Sequence, residues 1–287
     1  HVMSQWGHDF RPSYLNILPL LSQISGQPAV LGLTATATDR VRQNLQQLLG
    51  VADEDTVLTG FARDNLALKI AHQVDKRQYV QDYLRANQGK SGIIYAATRK
   101  QVDELYTSLN KQGMKVGRYH AGLPEKERQA MQEAFLYDEV EVMIATNAFG
   151  MGINKPDVRF VIHYAVPGNI EAYYQEIGRA GRDGLPSEAL LLYAPQDIHL
   201  QEFFVQKSEG TEAYKQNEYN KIREMNAFAN TGTCLPRYLL AYFGEVVAKD
   251  CGQCSNCLDS RDIVDVTTDS QRVLANVCLL YTSPSPR

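Results

Sequence analysis

Gly92-Ile93-Ile94-Tyr95, Lys115-Val116-Gly117-Arg118-Tyr119, Val140-Glu141-Val142-Met143-Ile144 and Val158-Arg159-Phe160-Val161-Ile162 are short runs with β-branched residues within residues 67–195, followed by the apolar run Leu190-Leu191-Leu192-Tyr193. Amphipathic segments fit between them. Lys100 to Lys111 sets Val102, Leu105, Tyr106 and Leu109 on one helical face, and Pro124 opens a further helix where its missing N–H costs nothing. Strands alternating with helices predict an α/β domain with a parallel sheet and crossover helices.

On the N-terminal side of this block, residues 1–66 hold only Ala29 to Leu33 and Thr56 to Leu58 as strand-like runs. These are too few to close a core and read as the end of a preceding domain. After residue 195 the strand pattern stops. Helical stretches such as Tyr214 to Ala229 lead into a cysteine cluster, so residues 196–262 form a separate unit, and a new helical pattern occupies 263–278. The last residues, 279–287, break that pattern, suit no core and read as a non-native tail. No repeat of solenoid or propeller period stands out.

With 44% hydrophobic and 22% charged residues over 287 positions, the chain has the composition of a soluble globular protein of two or so domains. It contains no run of about eighteen apolar residues and begins without a basic and apolar leader, which predicts a cytoplasmic protein with no membrane partner. The formal net charge of −4 supplies no global attraction to nucleic acid. Any such binding must come from local groups in a cleft.

Cys234, Cys251, Cys254 and Cys257 fall in one short stretch, whereas Cys278 stands apart. Cysteines two residues apart let one tight turn offer two sulfurs to the same ion, and four thiolates close a zinc tetrahedron with no open position. The expected role is therefore structural zinc.

The sharpest signal is Gln175-Glu176-Ile177-Gly178-Arg179-Ala180-Gly181-Arg182-Asp183-Gly184. Read as a helix, it puts Arg179 and Arg182 on one face, where two planar guanidiniums can grip phosphate oxygens. Three glycines inside one helix would each cost roughly 1 kcal/mol against alanine, which argues against an idle surface.

This stretch resembles motif VI of RecQ-family helicases, and other strings agree in order. Leu33 to Thr38 is similar to motif III, Phe61-Ala62-Arg63-Asp64-Asn65-Leu66 to the segment entering the second lobe, and Ile94 to Arg99 to motif IV. Tyr119 to Leu123 and Ala145 to Val158 resemble the next two motifs, the latter being motif V. Ser4 to Pro12 is similar to the aromatic-rich loop of the family, and Leu240 to Glu245 with Arg237 resembles its zinc module.

The resemblance implies a P-loop NTPase-like RecA lobe followed by a helical zinc-binding module, in an enzyme that uses ATP with magnesium to unwind DNA in the 3′ to 5′ direction. In that scheme residues 1–66 close the first RecA-like lobe, 67–195 form the second, 196–262 hold zinc and 263–278 open a winged helix. Arg182 becomes the arginine finger with Arg179 beside it. His1, Gly152, Asn154 and Gln175 fall on the nucleotide side. Trp6, His8, Phe10, Arg11, Thr98, Arg99, Thr146 and Asn147 fall on the DNA side, where single strands and duplex junctions are the implied partners. For Thr98, Arg99, Thr146 and Asn147, capping of a following helix is the rival reading. His1 matches the last residue of the family's DExH box, and GxxxxGK[ST] does not occur in this sequence. The chain by itself is therefore expected not to hydrolyse ATP. An RNA helicase and a non-catalytic DNA-binding protein are the alternatives.

Overall fold

In the computed structural model, residues 16–26, 28–34, 38–150, 153–260 and 266–282 are described. The candidate site residues His1, Trp6, His8, Phe10, Arg11 and Gly152 lie outside them. Among the described residues no helix is long and apolar enough to cross a membrane.

A six-stranded, wholly parallel sheet organises the molecule. Its strands are β1 Leu66–His72, β2 Gly92–Tyr95, β3 Val116–Tyr119, β4 Val142–Ala145, β5 Phe160–His163 and β6 Ser187–Tyr193. They lie in the order β1-β6-β5-β2-β4-β3. The helices α3 Lys76–Ala86, α4 Arg99–Asn110, α5 Glu125–Leu136 and α6 Ile170–Ile177 fill the connections. Alternate strand residues face opposite sides. Ile94, Ile144, Ile162 and Leu190 pack with Val80, Leu84, Val102, Leu105 and Leu109 of α3 and α4. Ile93, Met143, Val161 and Leu191 pack with Phe135, Tyr173 and Ile177 on the other face. Every strand predicted within residues 67–195 is present, with β4 and β5 each starting two residues later than expected and β6 three residues earlier.

Strand β1 had not been anticipated. Leu66-Ala67-Leu68-Lys69-Ile70-Ala71-His72 has a single β-branched residue, and it becomes a strand by pairing along its whole length with β6. Conversely, neither Ala29 to Leu33 nor Thr56 to Leu58 forms a strand. Leu31, Leu33 and Val57 are more than 80% exposed, so these runs have no face to pack against among the described residues. This region instead carries α1 Ile17–Leu21, α2 Asp39–Leu49 and a 3₁₀ turn at Asp53–Asp55.

Beyond the sheet come α7 Pro195–Lys207, α8 Glu212–Ala229, α9 Leu235–Tyr242, the short α10 Ser255–Leu258 and α11 Thr267–Thr282. Helix α11 continues through residues that the sequence reading had placed in a pattern-breaking tail. Its described residues run to Thr282. Phe228 of α8, Leu235 and Leu239 of α9, and Phe243 join the same core as α6 and the sheet. The module therefore shares its interior with the lobe. It also covers the edge of the sheet, where Ser255 Oγ accepts a hydrogen bond from the backbone N–H of Ile70 at 3.1 Å.

Candidate nucleotide and metal sites

Helix α6 ends at Ile177, and residues 178–184 form consecutive turns rather than the helix expected there. The cause is local. Gly181 and Gly184 take φ of +61° and +82°, left-handed values that glycine adopts without penalty. A Cβ at Gly181 would sit 2.5 Å from Asn65 Nδ2 and 2.8 Å from Ser187 Oγ. The glycines thus build a turn instead of weakening a helix. Gly181→Ala is expected to lower stability by about 2 kcal/mol or more, read as a drop in melting temperature.

The turn directs both arginines at one loop. Arg179 Nη1 donates to the carbonyl of Gly150, and Arg182 Nη1 donates to the carbonyl of Ile153 at 3.2 Å. Gly150 has φ +123°, and a Cβ there would lie 2.1 Å from Arg179 Cζ, so the guanidinium rests directly on the glycine backbone. A third guanidinium, Arg63, reaches the carbonyls of Ala180 and Gly181 at 2.9 and 3.0 Å. Among the described residues no carboxylate forms an ion pair with Arg63, Arg179 or Arg182. Partial burial, followed by the positive charges of Arg179 and Arg63, pulls the pKa of Arg182 below the ordinary guanidinium value. Arg179 Nε is buried without a partner. Three crowded guanidiniums without a carboxylate partner among the described residues could hold an anion, with phosphate the group their planar forks match.

The loop from Thr146 to Asp157 joins the end of β4 to the start of β5, two parallel strands, so it must cross the length of the sheet. Thr146 N donates to Tyr119 O at the end of β3, whereas Gly181 N donates to Val158 O beside the start of β5. Thr98, Arg99, Thr146 and Asn147 therefore gather at the C-terminal ends of β2 and β4, which are adjacent strands. Exposed Asn154 lies at the opposite end, next to Ile153 and hence near Arg182. Partly buried Gln175 sits on α6, one turn before Arg179. Thr98 is the N-cap of α4 in a complete capping box with Gln101, so its helix-capping role is present in the fold. Asn147 and Arg99 are exposed beside it.

Sequence reasoning gave no individual role to Arg63, Asn65 or Lys155. Lys155, 5% exposed, is tied to Asp138 at 2.7 Å and Asp157 at 3.2 Å, anchoring the loop that receives Arg182. A buried lysine inside the Asn154-Lys155-Pro156-Asp157 string was the available signal.

In the cysteine module, Cys234 caps α9 and Cys254 caps α10. The four Sγ atoms of Cys234, Cys251, Cys254 and Cys257 all lie within 4.8 Å of one another, and the Cys251–Cys257 pair is at 3.9 Å. A zinc tetrahedron with bonds of about 2.3 Å has sulfur–sulfur edges of about 3.8 Å, so the set fits. Backbone N–H groups of Leu235, Cys251, Cys254 and Cys257 point at sulfurs at 3.3–3.5 Å, the donors that thiolate ligands need. Burial and the neighbouring thiols push Cys257 up to about 12. Burial also raises Cys251, whereas amide hydrogen bonds bring Cys254 below the usual thiol value despite its burial. A divalent ion held by these four residues would keep them all as thiolates.

Comparison with known proteins agrees with this geometry. Residues 75–184 match the family model described as the helicase conserved C-terminal domain, and residues 195–258 match the one described as RecQ zinc-binding. The ATP-dependent DNA helicase RecQ of Bacillus subtilis is 47% identical over 96% of this chain and 46% of its own length. That of Pasteurella multocida is 40% identical over 96% and 44%. The RecQ-like DNA helicase blm-1 of Caenorhabditis elegans is 35% identical over 98% and 28%. The chain thus spans about half the length, or less, of the curated relatives it matches. In fold, it superposes on S. cerevisiae Dbp5 bound to RNA and ADP BeF3 with a TM-score of 0.58 at 20% identity, covering 78% of this chain and 61% of that one. With both family models matched in order and the identity to bacterial RecQ extending along nearly its whole length, the chain belongs to the RecQ family of helicases.

Proposed function

We propose that the protein is an ATP-driven DNA helicase that moves 3′ to 5′ on single-stranded DNA and opens duplex junctions, in the cytoplasm, in the service of recombination and repair. Residues 67–195 act as its second RecA-like lobe, 196–262 as the zinc module, 1–66 as the end of the first lobe and 263–278 as the start of a winged helix. The observation that carries this reading is the convergence of Arg179 and Arg182 on the carbonyls of Gly150 and Ile153, with no carboxylate pairing with them among the described residues. ATP with magnesium binds between the lobes and supplies the bond that is broken. Arg182 stabilises the charge that grows on the γ-phosphate, and Arg179 holds the loop from the other side. Asn154, Gly152, Gln175 and His1 face the same nucleotide. Thr98, Arg99, Thr146 and Asn147 contact the DNA backbone, joined by Trp6, His8 and Phe10, whose aromatic rings stack on unpaired bases, and by Arg11, which meets a phosphate. The crossover loop connects the two, since its start lies among the DNA-facing residues and its end beside Arg182.

DNA as the partner, rather than RNA, is supported by the zinc module and by the relatives, which are named as DNA helicases. Single-stranded DNA is expected to stimulate ATP hydrolysis by the full-length protein at least tenfold more than single-stranded RNA of the same sequence and salt, by roughly the margin that a few stacked bases and backbone contacts provide. Equal stimulation by RNA would favour the RNA reading, and none by either would favour a non-catalytic binder.

A further inference from the structure

The turn carrying Arg179 and Arg182 contains two left-handed glycines, and its two guanidiniums repel each other, so its own side chains supply little to hold it in one geometry. Part of what holds it is close by, in the Gly181 N–H bond to the Val158 carbonyl at 2.8 Å and the Arg159–Asp183 ion pair at 2.6 Å, and part comes from far upstream in the sequence. Arg63 Nη2 donates to the carbonyls of Ala180 and Gly181, and Asn65 Nδ2 donates to those of Gly181 at 2.8 Å and Leu185 at 3.0 Å. Arg63 Nε also donates to Asn65 Oδ1 at 3.3 Å, which fixes the two side chains relative to each other. The N–H of Ser187 donates to the Asn65 carbonyl at 2.8 Å.

The other end of the same segment is seated on the cysteine module. The ring of Phe61 stacks on Phe243 with centroids 4.7 Å apart at 21°. Its N–H donates to Glu245 Oε1 at 2.7 Å, and its carbonyl accepts from Tyr174 Oη at 2.6 Å. Gln253 Nε2, between two of the cysteines, donates to the Asp64 carbonyl at 2.9 Å. Residues 61–65 are thus a strap, tied to the zinc module at one end and to the arginine turn at the other.

We propose that this strap is a positioning element for the arginine turn, that Arg63 and Asn65 are its positioning residues, and that the zinc module influences ATP turnover by seating the strap. The proposal rests on the reading that Arg182 faces the nucleotide. A misplacement of about 1 Å in a catalytic group costs on the order of 10²-fold in rate, so a device that fixes three carbonyls of the turn acts on turnover more than on nucleotide binding.

The test is steady-state ATP hydrolysis with saturating DNA in the full-length protein, with zinc content and melting temperature recorded for each variant. Asn65→Ala is expected to lower kcat roughly tenfold while KM for ATP moves less than about threefold. Glu245→Ala, at the far end of the strap, is expected to lower kcat roughly threefold with zinc retained. Glu245→Gln keeps a carbonyl acceptor for Phe61 N–H and is expected to restore most of that loss. In an Arg182→Ala background Asn65→Ala should cost less than about twofold more, because the group that it positions is gone. The full tenfold loss in that background, an unchanged kcat in Asn65→Ala, or a Glu245→Gln variant as impaired as Glu245→Ala would each overturn the strap. Should Asn65→Ala lose zinc or its melting transition, Arg63→Lys, which keeps the charge and loses the fork, takes its place under the same criteria. Wild-type turnover in Arg182→Ala would instead refute the nucleotide reading itself.

Discussion

Replacing Arg182 with alanine in the full-length protein is expected to lower ATP turnover by roughly 10³-fold or more, equivalent to about 4 kcal/mol, while ATP affinity changes little. The reason is the timing of the interaction. A guanidinium that meets the γ-phosphate as charge develops lowers the barrier without tightening the ground-state complex. Arg182 is suited to that task because it is the most exposed of the three clustered arginines and among the described residues is held by two carbonyls, at 3.2 and 3.5 Å. Lysine should rescue little, since one compact ammonium cannot reproduce a planar fork reaching two oxygens. Arg179→Ala should also reduce turnover, through the Gly150 carbonyl that it now grips. Zinc content and circular dichroism must stay as in the wild type for these losses to report on chemistry. Near wild-type turnover in folded Arg182→Ala would move the role to another residue.

The second large effect concerns the metal. Freshly purified protein is expected to carry one zinc per chain, and Cys254→Ser is expected to lose it and leave residues 196–262 unfolded or insoluble. Structural zinc contributes roughly 10–16 kcal/mol of apparent binding free energy to folding, more than a domain's net stability. Damage should spread beyond the module. Cys254 is fully buried, Phe228, Leu235, Leu239 and Phe243 share the lobe's core, and Ser255 covers the edge of β1. The lobe's melting temperature should therefore fall too. Because the ligands must be thiolates, zinc affinity is expected to drop as the pH is lowered. Metal analysis without zinc in soluble wild-type protein, or a Cys254→Ser variant that melts like the wild type, would contradict this.

What the sequence made legible was whatever lies close together along it. The strands from β2 to β6 announce themselves because each contains a short apolar or β-branched run bounded by polar or turn residues, and the cysteines because three of the four fall within seven residues. The turn at 178–184 was misread as helix because spacing shows which residues share a helical face but not that Gly181 takes a left-handed φ. That φ depends on the close approach of Asn65 and Ser187, which no local pattern encodes. Strand β1 was missed for a similar reason, since its pairing with β6 supplies what Leu66 to His72 lack in β propensity. The strap is the extreme case. Arg63 meets Ala180 across 117 positions of sequence, so the string around Phe61 could be matched to a family without disclosing what it touches.

The central claim, an ATP-driven motor for DNA, is tested most directly by strand separation with the full-length protein on two DNA duplexes that differ only in which strand end is single-stranded. The account predicts displacement of the 3′-tailed duplex that requires ATP and magnesium, is much weaker on the 5′-tailed one, and disappears in Arg182→Ala. Displacement without ATP, or no displacement of either duplex by folded, zinc-loaded protein that binds single-stranded DNA, would contradict it.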